Sequence, residues 1–123
     1  MPDDLLDWLP RGLLDRTLDA VLITDAELEP PGPRIRHANT AWERMTGYHL
    51  GDVRGCSPRI LQGPETERAE LDRLRQCLEA GRGFEGKVVN YRADGTANRI
   101  YWSVEPIHDP AGGLAGIGSI QRS

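Results

Sequence analysis

The chain has 123 residues, 38% of them hydrophobic and 28% charged, which predicts one soluble domain with a modest core. Its net charge of -4 comes from interspersed acids and bases, which argues against binding to nucleic acid or to an anionic membrane. There is no apolar run long enough to span a bilayer, no disulfide framework and no signal-peptide pattern, so a cytoplasmic location is expected.

Residues 1–18 predict a helical extension or cap that precedes the main domain, which is expected to span residues 19–123. Leucines recur in the extension at helical spacing, although Pro10 and Gly12 interrupt the pattern. We expect this leucine strip either to cover a sheet face or to contact a partner protomer.

The first half of the domain predicts two short strands and one capped helix. Residues 20–24 are rich in β-forming side chains and indicate a first strand, and a second passes through Ile35. The segment between them is predicted to be a loop because its three prolines remove backbone donors. Asn39 can cap a helix that runs through Met45 and that Gly47 ends.

The second half predicts one long helix followed by three strands. Residues 66–81 place leucines on one stripe and acids in the first turn. Strands are expected at residues 84–92, 98–107 and 114–122, and the short turns between them force antiparallel neighbours. The order of elements predicts an α+β fold, with a five-stranded antiparallel sheet and with short helices and one long helix packed on one face.

Strand alternation predicts which side chains of the last three strands face the helices. This inward set contains Phe84, Val88, Asn90, Ile100, Trp102, Val104, Ile117 and Gln121. Asn90 and Gln121 are its amides. Because buried amides almost always have hydrogen-bond partners, these two are expected either to bond nearby backbone or to contact a ligand.

The sequence contains no pattern that is typical of a catalytic site or a metal site. The three histidines and two cysteines are scattered, so no metal site is predicted. There is no glycine-rich loop between a strand and a helix to cradle a phosphate, and no nucleophile with a base and an acid. The chain is therefore not expected to be an enzyme.

Four segments carry a pattern that composition and periodicity do not explain: NTAWERMTGY, PRILQGPET, NYRADGT, and PIHDPAGG followed by GSIQR. Together they resemble the PAS superfamily, and more narrowly its light-oxygen-voltage (LOV) flavin-binding branch. The resemblance covers nearly all of the chain except the N-terminal extension. It implies a PAS fold and a sensory role in signal transduction.

The resemblance also implies a site for FMN between the long helix and the sheet. In the family pattern, Arg59 and Arg75 would bind the ribityl phosphate, since guanidinium groups form strong paired bonds with phosphate. Gln62 would contact the ribityl chain or the ring, while Asn90 and Gln121 would bond the polar edge of the isoalloxazine. The ring would be lined by Leu22, Thr24 and Trp102.

The sequence departs from the LOV pattern at the position of the reactive cysteine. LOV photochemistry joins a cysteine thiol to the flavin, but the aligned residue here is Pro58, preceded by Ser57 in place of asparagine. A thiol adduct therefore cannot form at Pro58. Cys56 lies two residues earlier, and its side chain is expected to face away from the ring.

A second departure concerns the edge of the ring. The family places another asparagine on the fourth strand, where this sequence has Ile100. Leaving one polar edge atom unpaired would cost about 1–3 kcal/mol if nothing replaces the partner. Trp102, two residues on, is expected either to stack beside a flavin and donate an electron or to fill the cavity.

The resemblance therefore implies a LOV-like sensory PAS domain that binds FMN without forming a cysteinyl adduct, with Trp102 or Tyr91 as electron donors. The alternatives are a ligand-free PAS module for dimerisation and signal relay, or a PAS domain that binds another small molecule. A homodimer is expected through the N-terminal helix and an outer sheet face bearing Val89, Tyr91, Tyr101 and Ile120. The expected output partner is a histidine kinase or a cyclic-dinucleotide enzyme of a longer signalling protein.

Overall fold

The computed structural model describes residues 19–123. The predicted N-terminal extension lies outside these residues. In chain order, the elements are β1 (Ala20–Thr24), β2 (Ile35–Ala38), α1 (Thr40–Thr46), α2 (Leu50–Val53), a 3-10 helix η1 (Pro58–Leu61), α3 (Arg68–Glu79), β3 (Phe84–Tyr91), β4 (Ala97–His108) and β5 (Leu114–Arg122).

The five strands form one antiparallel sheet in the order β2-β1-β5-β4-β3. The helices lie between β2 and β3 in the chain, and α3 packs against the same face of the sheet as the buried side chains of β3 and β4. The predicted α+β fold is therefore confirmed. The predicted bounds of β1 and β5 match the structure, and those of β3 and β4 agree to within one residue.

Asn39 ties the first half of the domain together. Its side-chain Oδ1 accepts hydrogen bonds from the Trp42 and Val21 backbone N–H groups at 3.0 and 2.9 Å. The first bond caps α1 as the sequence predicts, while the second joins the cap to β1. Trp42 is fully buried against β1, β2 and η1, so this cap also fixes the position of a large core side chain.

The long helix α3 begins at Arg68, two residues later than predicted. The reason is that the preceding residues bond to the edge strand instead. Thr66 Oγ1 donates to the Val89 carbonyl oxygen at 2.6 Å, and Glu67 Oε1 accepts from the Val89 N–H at 3.0 Å. These two side chains occupy backbone groups of β3, the outermost strand on this side, and so protect its edge.

Gly86 allows α3 to lie close to β3. A Cβ atom at this position would come within 2.6 Å of Glu70 Oε1 and 2.9 Å of Arg73 Nη2, both on α3. Arg73 also stacks over the Phe84 ring at 4.4 Å and donates to the Glu85 carbonyl oxygen at 3.0 Å. A side chain at Gly86 would therefore displace the Glu70 and Arg73 side chains, which link α3 to β3.

Fewer side chains are exposed on the outer sheet face than the sequence predicts. Val89 is buried, and Tyr91 is half-buried because Gly63 and Glu65 lie against its ring and its hydroxyl. The Tyr91 hydroxyl accepts a hydrogen bond from the Glu65 N–H at 3.0 Å. Of the four predicted outer-face side chains, Tyr101 and Ile120 are the exposed ones.

Candidate functional site

A cavity of about 250 Å³ lies between α3 and the inward face of the sheet. It is closed on its other sides by η1 and by a loop formed by residues 25–34. Most of its wall is apolar and comes from Leu22, Leu28, Pro33, Leu61, Leu71, Leu74, Leu78, Val104 and Ile117.

All eight residues that the resemblance assigns to a flavin site line this one cavity. They come from β1, η1 and its C-cap, α3, β3, β4 and β5, and they are Leu22, Thr24, Arg59, Gln62, Arg75, Asn90, Trp102 and Gln121. Ser57 and Pro58, the altered positions, line it too. Ile100, the third altered position, is fully buried and is not part of the cavity wall.

We call the polar sheet side of the cavity its floor, formed by Asn90, Trp102, Ser119 and Gln121. Gln121 is 5% exposed, and its Nε2 donates to Ser119 Oγ at 2.9 Å. Within residues 19–123, Gln121 Oε1 and Trp102 Nε1 are buried without a hydrogen-bond partner. Buried polar atoms are normally paired, so these two atoms are the part of the floor whose hydrogen-bonding capacity the described residues do not satisfy.

We call the solvent side of the cavity its mouth, formed by Arg59, Arg68, Asp72 and Arg75. Arg59 Nη1 donates to the Gly32 carbonyl oxygen, and its Nη2 donates to the Leu28 carbonyl oxygen at 3.3 Å.

Arg75 at the mouth is paired with two carboxylates. Its Nε donates to Glu79 Oε2 at 3.0 Å, and its Nη2 donates to Glu29 Oε2. Hydrogen bonding to Glu79 and then to Glu29 raises the pKa of the Arg75 guanidinium above its usual value. Arg59 and Arg75 therefore both have acceptors supplied by the chain itself.

The segment with the altered LOV motif forms a capped 3-10 turn. Pro58 begins η1, and the Ser57 hydroxyl accepts a hydrogen bond from the Arg59 N–H at 3.2 Å. Cys56 precedes this cap, is exposed, and does not belong to the cavity wall. The residue at the reactive position therefore faces the cavity, whereas the nearby thiol does not.

Sequence reasoning missed several members of the cavity wall. Arg68 and Asp72 lie on the same side of α3 as Arg75. Counted from Arg68, Asp72 is four residues and Arg75 seven residues further along the helix. This spacing was a signal that could have found them, because residues at i, i+4 and i+7 share a helix face. Leu28 and Pro33 carried no such signal, since they lie in an irregular loop.

The part of the chain that the structure describes contains neither a metal-binding cluster nor a membrane-spanning helix. Residues 19–123 contain no group of three or more His, Cys, Asp or Glu side chains that could hold a metal ion. Nor do they contain a helix that is long and apolar enough to cross a membrane.

Comparison with known proteins agrees with this architecture. The family model of the PAS domain matches residues 18–122. The chain belongs to the PAS domain family. It is also similar to a solved structure of a light-oxygen-voltage domain studied with a flavin analogue, with a TM-score of 0.83 and 27% identity over 95% of this chain and 85% of the other.

Two curated proteins are similar in sequence to this PAS domain over most of its length. Phototropin-2 of Oryza sativa subsp. japonica is 36% identical over 112 residues, which is 86% of this chain and 12% of that protein. A blue-light-activated histidine kinase of Brucella canis is 33% identical over 106 residues, which is 85% of this chain and 21% of that protein. The prediction of a LOV-like sensory PAS domain is confirmed. The chain spans only a small part of either relative.

Proposed function

We propose that this PAS domain binds FMN non-covalently in the cavity and serves as the light- or redox-sensing input module of a larger signalling protein. The observation that carries the proposal is Gln121 Oε1, a buried acceptor without a partner in residues 19–123, in a residue that lines the cavity with the seven others that the LOV resemblance assigns to flavin. A flavin ring edge presents both donors and acceptors, which suits the amides of Asn90 and Gln121.

The polarity of the cavity suits a flavin, but its volume is slightly small for one. An apolar wall with a few polar groups at one end is typical of a small-molecule site. The volume of about 250 Å³ lies just below the range of about 300–1,000 Å³ that such sites span. Entry of a flavin therefore requires the part of the wall formed by Leu28 and Pro33 to shift.

When bound, FMN supplies a ring that absorbs blue light and accepts electrons. Trp102 is the better-placed donor because it lines the cavity, whereas Tyr91 does not and bonds to Glu65 instead. Pro58 carries no thiol, so the response proceeds without a covalent bond to the protein.

Gln121 is placed to pass a change in the cavity to the sheet. Its Nε2 now donates to Ser119 Oγ, and rotation of the amide would present Oε1 to the same hydroxyl, which can donate in turn. Both residues lie on β5, which pairs with β1 on one side and β4 on the other. A change in this bond would therefore act on the centre of the sheet.

Asn90 and Asn98 provide a matched pair for testing the proposal. They lie directly opposite each other on β3 and β4, but only Asn90 lines the cavity. Titration of the full chain with FMN, followed by flavin fluorescence and blue absorbance, is expected to show saturable binding. Asn90→Ala is expected to weaken it about 5–150-fold, because one ring-edge partner is lost. Asn98→Ala is expected to leave it unchanged.

Blue light should then bleach the absorbance of the FMN-loaded chain by photoreduction, and the flavin should leave the protein intact on denaturation. A chain that ignores FMN at every concentration, or one in which both asparagine variants bind alike, would overturn the proposed site.

A second candidate function is a ligand-free PAS module that dimerises and relays signals. It is favoured by the mouth, where Arg59 and Arg75 already have acceptors in the chain itself. In this case we propose contacts through residues 1–18, as a helical cap, and through the exposed Tyr101 and Ile120 of the outer sheet face. Sedimentation of the flavin-free chain separates the two, since a purely monomeric species would count against the relay module. In either case, a histidine kinase or a cyclic-dinucleotide enzyme is the proposed output partner, and the domain itself is not proposed to be an enzyme.

A further inference from the structure

The loop formed by residues 25–34 covers the mouth and is closed at its base. The Asp25 N–H donates to the Arg34 carbonyl oxygen at 3.0 Å, and Asp25 Oδ1 accepts from the Arg34 N–H at 2.9 Å. With its ends joined in this way, the loop is a compact unit of the Ω type. Leu28 and Pro33 from this loop line the cavity.

Both mouth arginines that the family pattern assigns to a phosphate hold this loop instead. Arg59 donates to the Leu28 and Gly32 carbonyl oxygens, and Arg75 donates through Nη2 to the Glu29 carboxylate. The two contacts differ in kind, because carbonyl oxygens are neutral whereas Glu29 carries a full negative charge.

We infer that Glu29 acts as an intramolecular anion that occupies Arg75 in place of a ligand phosphate, and that it thereby lowers the preference of the cavity for phosphorylated over neutral flavins. The inference rests on the proposed flavin site. Carboxylate and phosphate are recognised by the same planar donors of a guanidinium group, so the two compete for Arg75.

Glu29 is the exchangeable partner of Arg75, whereas Glu79 is the local one. Glu79 lies one helical turn away on α3 and bonds to Nε, leaving Nη2 for Glu29. The Glu29 side chain is 72% exposed, and that of Arg75 is 36% exposed. An ion pair in this setting is weak and is screened by salt, so a phosphate can displace Glu29 at a modest cost.

This cost falls on one class of ligand only. A ligand phosphate must separate Glu29 from Arg75 and then lie near the displaced carboxylate. Riboflavin has the same ring and ribityl chain without the phosphate, so it needs the wall formed by Leu28 and Pro33 to shift but no exchange of anions at Arg75. The ratio of the two dissociation constants therefore isolates the effect of Glu29, because the cost of shifting Leu28 and Pro33 is common to both ligands and cancels.

The test is a pair of titrations, with FMN and with riboflavin, on the full chain and on Glu29→Gln at low ionic strength. Glu29→Gln is expected to shift the ratio of dissociation constants about 2–5-fold towards FMN, which is the size of an exposed ion pair. The shift should shrink as salt is added. Glu27→Gln removes the same charge from the same exposed loop and keeps a side-chain oxygen that can accept the Glu29 N–H bond, so it is expected to leave the ratio within error of the parent.

The outcomes separate this inference from the function on which it rests. If both flavins bind and Glu29→Gln leaves their ratio unchanged, the role of Glu29 is overturned and the flavin site stands. If Glu27→Gln shifts the ratio as far as Glu29→Gln does, the effect is one of general charge and the specific pairing is overturned. If neither flavin binds any variant, the flavin site and the inference both fall.

Discussion

The floor and the mouth of the cavity differ in whether their polar groups already have hydrogen-bond partners. At the floor, Gln121 Oε1 and Trp102 Nε1 are buried without partners in the described residues. At the mouth, Arg59 and Arg75 are more exposed, yet both bond to acceptors from the 25–34 loop. The floor is thus prepared for a ligand that has still to supply bonds, whereas the mouth must exchange bonds that it already has.

The floor and the mouth differ because water reaches the arginines of the mouth but not the buried atoms of the floor. A buried atom cannot turn to solvent, so its lost hydrogen bond is a standing cost that a ligand can remove. An exposed guanidinium always has water as an alternative, so its contacts with the loop add little stability and are easily replaced. Affinity is therefore expected to depend chiefly on the floor, and selectivity between ligands on the mouth.

The largest effect is expected from Gln121→Leu, which removes the unpaired acceptor of the floor. Flavin affinity should fall about 5–150-fold, since a bond worth about 1–3 kcal/mol is lost. The ligand-free protein should keep nearly the stability of the parent, because the change removes the unpaired buried Oε1 together with the single bond from Nε2 to Ser119 Oγ. Calorimetric melting with and without FMN measures both.

Gln76→Leu is the control for that experiment, because Gln76 lies on the exposed side of α3 and is not part of the cavity wall. A clear loss of ligand-free stability in Gln121→Leu would show that Gln121 already has its partners, and the contrast between floor and mouth would be lost.

A smaller effect is expected at the mouth from Arg59→Ala. This change removes both hydrogen bonds to the 25–34 loop, so amide hydrogen exchange at Leu28 and Gly32 should accelerate. Stability should fall by less than about 1 kcal/mol because Arg59 is exposed. Arg82→Ala, at an exposed position just beyond the end of α3, is the matched control and should leave exchange in the loop unchanged. Equal exchange in the two variants would mean that Arg59 does not hold the loop.

The smallest effect is expected at Glu67, which lies at the sheet edge away from both regions. The Val89 N–H and then the Arg99 side chain hold the pKa of this carboxyl below its usual value of 4.5. Because the folded pKa is depressed, the stabilisation is complete above pH 4.5 and is lost as the pH falls through the lower folded value. Glu67→Gln should therefore be less stable than the parent at pH 7, and the gap should narrow in acid.

Urea unfolding of the parent and of Glu67→Gln at a series of pH values measures this gap. Glu65→Gln serves as a control, since the Glu65 contact is made by its backbone N–H rather than by its carboxyl. A gap that is constant with pH would show that the Glu67 carboxylate does not hold the edge of β3.

The pattern of the sequence was sufficient for the fold and for eight residues of the cavity wall. Alternation along β3, β4 and β5 placed Asn90, Trp102 and Gln121 on the inward face, since the period of a strand is a local property of the backbone. The capping signals at Asn39 and Gly47 were read correctly for the same reason. Motif positions carried over from the LOV family then brought eight residues to one cavity.

Contacts between distant segments were not available from the sequence. The acids before α3 resembled a helix first turn, but Glu67 bonds to β3 instead, and Gly63 and Glu65 cover part of Tyr91. Such contacts depend on how a loop crosses a sheet edge, which has no periodicity to reveal it.

The sequence by itself determined the sheet, its inward face, and the loss of the reactive thiol at Pro58. The tertiary structure alone decided which groups the arginines hold, because Glu29 and Arg75 are 46 residues apart and meet only when the 25–34 loop folds over α3. Strand and helix periodicity arises from neighbouring residues, whereas pairing of charges across a cavity arises from the path of the whole chain.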